Sequence, residues 1–135
     1  MKKLLVVIFI AFTYMAMAQE TATVFIARKK LYTGPVYGPI KVFMDDKLIC
    51  QINNNSFSVH NVAPGKHRFS AQWDGKESKE GASKDAIEIE VIAGTEYFLS
   101  ADKKVKNLIT YIYLEEITMN TWKKTKYGLK QDDCL

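Results

Sequence analysis

The stretch Phe57-Ser-Val-His-Asn-Val-Ala-Pro-Gly-Lys-His-Arg-Phe-Ser-Ala-Gln-Trp73 decides the fold. Before Pro64-Gly65, Phe57 and Val59 alternate with Ser58 and His60; after it, Phe69, Ala71 and Trp73 alternate with Arg68, Ser70 and Gln72. Successive side chains of a strand point to opposite faces, so a period of two marks half-buried strands. Proline presets φ and glycine accepts a positive φ. Pro64 and Gly65 therefore suit the two central positions of a type II turn, where the chain reverses or crosses over. On this reading Phe57, Val59, Phe69, Ala71 and Trp73 are core, His60 faces away from it, and His67 faces towards it.

The same pattern continues on both sides. Thr23 to Arg28 is apolar on both faces, as in the central strand of a two-layer structure. Lys29 to Pro39, with Gly34-Pro35 and Gly38-Pro39, is a loop. Ile40, Val42 and Met44, the polar turn Asp45-Asp46-Lys47, and Leu48, Cys50 and Ile52 make a short hairpin, closed by a second turn at Asn53 to Asn55. From Asp74 to Asp85 charges of both signs and no large apolar residue predict a solvated loop. Ile87, Ile89 and Val91 alternate with Glu88 and Glu90; Ala93-Gly94-Thr95 turns the chain into a partner strand bearing Tyr97, Leu99 and Ala101, with Phe98 on its other face. Leu108 to Leu114 is the last strand. These elements predict an all-β fold, an antiparallel β-sandwich of about eight strands. In the tail from about Glu116, Met119, Trp122, Lys126 and Leu129 recur at roughly helical spacing, which places a short C-terminal helix against the sandwich, interrupted at Gly128.

At the N-terminus, Lys2 and Lys3 precede the apolar run Leu4 to Phe12, and Ala16-Met17-Ala18 supplies a small-x-small pattern. This is a secretory signal peptide over residues 1–18, cleaved between Ala18 and Gln19. The run is shorter than the roughly 20 residues a membrane-spanning helix needs. A lipoprotein would carry cysteine at the cleavage point, and the nearest cysteine is Cys50. The expectation is an exported protein, periplasmic or secreted, without lipid attachment or a transmembrane segment after signal removal. Loss of 18 of the 135 residues leaves a single domain of 117 and lowers the formal charge from +4 to +2. So weak a charge does not point to a nucleic-acid partner.

Four segments carry a family resemblance: Val24-Phe25-Ile26-Ala27-Arg28, Val42 to Ile49 around its acidic turn, Val62-Ala63-Pro64-Gly65-Lys66-His67, and Ala93-Gly94-Thr95-Glu96-Tyr97-Phe98-Leu99. In that order, over about Thr23 to Ile117, the chain resembles the bacterial family known as domain of unknown function 2846, and more distantly short β-sandwich modules sharing the Pro-Gly-x-His turn. The resemblance implies a small envelope protein with no established activity and no catalytic residue to carry over. Many such proteins have a lipid-attachment cysteine, which this chain lacks.

The residues themselves point to little chemistry. His60 and His67 flank the turn, but strand parity sends them to opposite sides, and no Cys or His stands at zinc-ligand spacing, so neither a metal site nor a cofactor is expected. No Gly-x-Ser-x-Gly elbow or Ser-x-x-Lys set is present. Glu88 and Glu90 share one strand face, as a glycosidase pair could, yet their alternation with an apolar face is that of a solvated sheet surface. Arg28 could bind an anion or close a rim salt bridge. Cys50 has the parity of Leu48 and Ile52, and Cys134 is penultimate. In an oxidising compartment they would pair and pin the tail; the alternative is an inert buried Cys50 and a free thiol at Cys134. The function expected is non-enzymatic, a protein-interaction module of the cell envelope or secreted fraction that binds another envelope or extracellular protein. The alternative is a carbohydrate or small-ligand binder using the exposed aromatics Tyr32, Tyr37, Tyr111, Tyr113 and Trp122.

Overall fold

A computed structural model of the chain describes residues 20–30, 38–73 and 85–134. The expected leader, its Ala18/Gln19 cleavage point, Tyr32, Tyr37 and nearly all of the charged loop lie outside these residues. Among the described residues the chain forms nine strands and one helix: β1 (Ala22–Arg28), β2 (Ile40–Met44), β3 (Lys47–Ile52), β4 (Ser56–Val62), β5 (Gly65–Trp73), β6 (Ile87–Val91), β7 (Glu96–Lys106), β8 (Ile109–Glu116), α1 (Met119–Lys126) and β9 (Lys130–Gln131). They build an all-β sandwich. One sheet has the order β8-β7-β1-β4-β9 and the other β3-β2-β5-β6. Neighbours are antiparallel except β1 with β7 and β4 with β9, which run parallel.

The core between the sheets comes from the alternation read in the sequence. Ala22, Val24, Ile26, Val62, Leu99, Ile112 and Leu114 from the first sheet meet Ile40, Val42, Ile52, Phe69, Ala71, Ile89 and Val91 from the second. The β2–β3 hairpin turns through Asp45 and Asp46, both at positive φ (50° and 64°), the geometry of a two-residue primed turn. A bulge between Val42 and Phe43 pairs Phe43 with Leu48 and leaves Ile49 as the extra residue. Leu48 thereby loses the parity of Cys50 and is 48% exposed, while Ile49 packs on the core.

One connection that the sequence left open between reversal and crossover, and one expected as a hairpin, are both crossovers. At Ala63-Pro64 the chain leaves the first sheet for the second, through a bend at Pro64 rather than a type II turn, with Gly65 already in β5 at φ 128°. After β6 the chain returns to the first sheet, so β7 lies parallel to β1 instead of pairing with β6.

A second, smaller cluster lies on the outer face of the first sheet. Phe25, Ala27, Phe57 and Phe98 point away from the sandwich interior and are covered by Trp122 of α1, which is 5% exposed. The indole sits 5.2 Å from Phe25, 5.4 Å from Phe98 and 5.6 Å, edge-on, from Phe57. Thr118 caps the helix by accepting the Thr121 N–H. This layer overturns the expected parity of β4. Phe57 is core to the outer cluster, Val59 on the same face is 37% exposed, and Ser58 and His60 turn inwards.

Candidate functional site

Reversal of β4 gathers the chemistry-bearing side chains at one end of the sandwich. Cys50 on β3 and Cys134 in the tail are joined by a disulfide. His60 of β4 lies against it, Nε2 3.9 Å from Cys134 Sγ, and the same nitrogen is 2.9 Å from the hydroxyl of fully buried Ser58. With the serine hydroxyl as donor, the Nε2 lone pair is taken up by that bond, and the disulfide lies beside it. Burial of the ring pushes its pKa down, disfavouring the imidazolium.

The tail is held by more than sulfur. β9 adds to β4 in parallel register, Lys130 N–H donates to Asn55 O (3.2 Å) and Asp132 N–H to Phe57 O (2.8 Å). The Asp132 carboxylate accepts from Asn53 N–H (2.8 Å), Asn53 Nδ2 (3.0 Å) and Cys134 N–H (3.1 Å). It ties the β3–β4 turn to the residue that presents the cysteine. The sequence carries no local signal for this cluster, because its members come from residues 50 to 134 and their meeting depends on which way β4 faces.

His67 sits between the β2–β3 turn and the β4–β5 connection. Its Nδ1 is 2.6 Å from Asp45 Oδ2 and its Nε2 2.7 Å from Ala63 O. A carbonyl and a carboxylate only accept, so both ring nitrogens donate and the ring is an imidazolium. The Asp45 hydrogen bond accordingly raises the His67 pKa, with the Ala63 carbonyl adding to it against the opposing effect of burial. For Asp45, burial alone would raise the pKa, but bonds from His67 and from Arg68 N–H (3.0 Å) outweigh it and hold the carboxyl below its ordinary value. The two histidines thus serve different sites and form no pair.

Arg28 is 3% exposed, so it lies buried rather than at a solvated rim. Its Nη1 donates to Ile52 O (2.8 Å) and Gly38 O (3.1 Å), and its guanidinium lies 5.8 Å from the Trp73 ring centre. Burial lowers its pKa. It lines a cavity of about 10 Å³ with Ile40, Ala101, Asp102 and Ile112, room for a single water. Trp122, counted among the exposed aromatics, is buried under α1. Tyr111 and Tyr113 share the outer face of β8, both half-buried, and Lys104 lies 5.5 Å from the Tyr113 ring centre. Burial, then Asp102 and Glu115, raise the Tyr113 pKa. Glu88 and Glu90 are exposed and stand across from Arg68 and Lys66 on β5, with Lys66 Nζ 3.6 Å from Glu88. That is a solvated sheet surface, not a cleft. Among the described residues no helix is long and apolar enough to cross a membrane. No family model and no curated protein matches the chain.

Proposed function

We propose that the chain is a non-enzymatic exported β-sandwich, an interaction module of the bacterial cell envelope or secreted fraction that binds another protein through a sheet face, a strand edge or its loops. The observation that carries this reading is the stapled tail. A disulfide that closes a separation of 84 residues belongs to an oxidising compartment, and it agrees with the leader read in residues 1–18 and with the resemblance to the domain of unknown function 2846 family. β3 is an edge strand carrying the exposed Leu48, and a strand edge is a ready template for a partner's backbone. A photo-crosslinking residue in place of Leu48, in the protein expressed in its native cells, should give one discrete protein adduct. Absence of an adduct there and at Lys66 on the sheet face would count against the reading.

The shared outward face of Tyr111 and Tyr113 favours a second reading, a carbohydrate or small-ligand surface, since rigid aromatic rings make flat contact areas at low entropic cost. Binding to a glycan panel that disappears in Tyr111→Ala would support it. Equal retention by parent and variant would remove it.

A further inference from the structure

We propose that the Cys50, Cys134 and His60 cluster is a redox-gated site for a thiophilic divalent cation of the Zn2+ class, closed in the disulfide form and opened by a dithiol reductant. One ligand atom from each residue, Cys50 Sγ, Cys134 Sγ and His60 Nε2, falls within 4.8 Å of the other two. Around a tetrahedral zinc with bonds of roughly 2.0 to 2.3 Å, such atoms stand about 3.5 to 3.8 Å apart. The His60 Nε2 to Cys134 Sγ distance of 3.9 Å already matches that spacing, so the remaining movement is separation of the two sulfur atoms. The tail can supply it, because Cys134 follows the two-residue β9 outside any strand, while Cys50 is fixed in β3 at 2% exposure.

Two features keep the ligands together once the covalent bond is gone. The β4–β9 pairing and the Asp132 bonds to Asn53 hold the tail independently of sulfur. The Ser58 hydroxyl, 2.9 Å from the same Nε2, holds the His60 ring beside the disulfide and gives up that bond when Nε2 turns to the metal. His60 and Cys134 are both half-exposed, which leaves the cation a route in and a fourth position for water or a partner's ligand.

The chemistry balances without further components. A dithiol gives up two electrons and two protons and closes into its own disulfide, while the Cys50–Cys134 bond breaks and both sulfur atoms become thiols. Binding of Zn2+ then releases the two thiol protons to solvent and leaves two thiolates and one neutral imidazole on the metal.

The test uses the whole mature protein, reduced with a dithiol, freed of reductant under anaerobic conditions and dialysed against Zn2+, with the oxidised protein in parallel. One Zn2+ per reduced chain and none per oxidised chain is expected, and Co2+ in its place should give a thiolate charge-transfer band. His60→Gln, which leaves the disulfide intact, should weaken Zn2+ binding by about tenfold or more. Equal binding by reduced and oxidised protein, or by His60→Gln and parent, would overturn the site. Circular dichroism keeps the outcome decisive: a reduced chain that loses its β-sheet spectrum and does not regain it with Zn2+ also overturns it.

Discussion

On one side of β1, Val24 and Ile26 are sealed by an entire second sheet, whereas on the other Phe25 and Ala27 depend on one eight-residue helix. The inner layer is mostly aliphatic, drawn from eight strands, and no single side chain closes it. The outer layer is aromatic and converges on Trp122, the sole buried residue of α1. A helix that short is not stable alone in water, so its existence rests on the docked indole and the Thr118 cap. The difference teaches that burial in this protein is redundant inside the sandwich and concentrated in one residue outside it.

The sharpest way to break the comparison is to empty each layer in turn. Phe69→Ala, at a fully buried inner position, should cost about 3 to 5 kcal/mol and lower the whole unfolding transition measured in denaturant. Trp122→Ala should cost about 3 kcal/mol, the lower end of the same range, because α1 can undock, and its amide-exchange protection should vanish while β1 and β2 keep theirs. If both variants lost protection uniformly, the two layers would be one cooperative unit. Gly65→Val tests the crossover that sets which sheet β5 joins. Open space surrounds the position, so any loss comes from holding a β-branched residue at φ 128°, about 1 to 3 kcal/mol by thermal melting. Thr118→Ala should remove about 1 kcal/mol, confined to α1 and the tail.

The smallest effect is a pH dependence at the His67–Asp45 pair. His67 has a raised pKa in the fold, so its contribution is fully present below its ordinary value of 6.5 and is lost as pH rises through the folded value. Asp45 has a lowered pKa, so its contribution is present above 3.8 and is lost as pH falls through the folded value. The pair therefore stabilises most between those two limits, modestly because Asp45 is half exposed. His67→Gln should remove the parent's decline in melting temperature as pH rises above 6.5; parallel curves would show that the ring contributes nothing to this pair.

Much of this was legible in the chain. Ile87 to Val91 and the Asp45-Asp46 turn read correctly because each is set by local alternation or local backbone chemistry. The readings that changed share one cause. Alternation says that Phe57 and His60 lie on opposite faces, but not which face meets the other sheet, and a second apolar layer made the outer face the better place for Phe57. With that choice His60 turned inwards to the cysteines, Val59 became exposed, and the pairing of two histidines ceased to be the relevant question.

By itself the sequence determined an all-β sandwich, most of its strands, the Asp45-Asp46 turn and a tail with helical spacing, because periodicity and turn residues act over a few positions. Only the tertiary structure decided that Pro64-Gly65 crosses between sheets, that β7 lies parallel to β1, and that Cys50, His60 and Cys134 meet. Those outcomes depend on which faces cover which, a competition for burial among distant segments that no local pattern encodes.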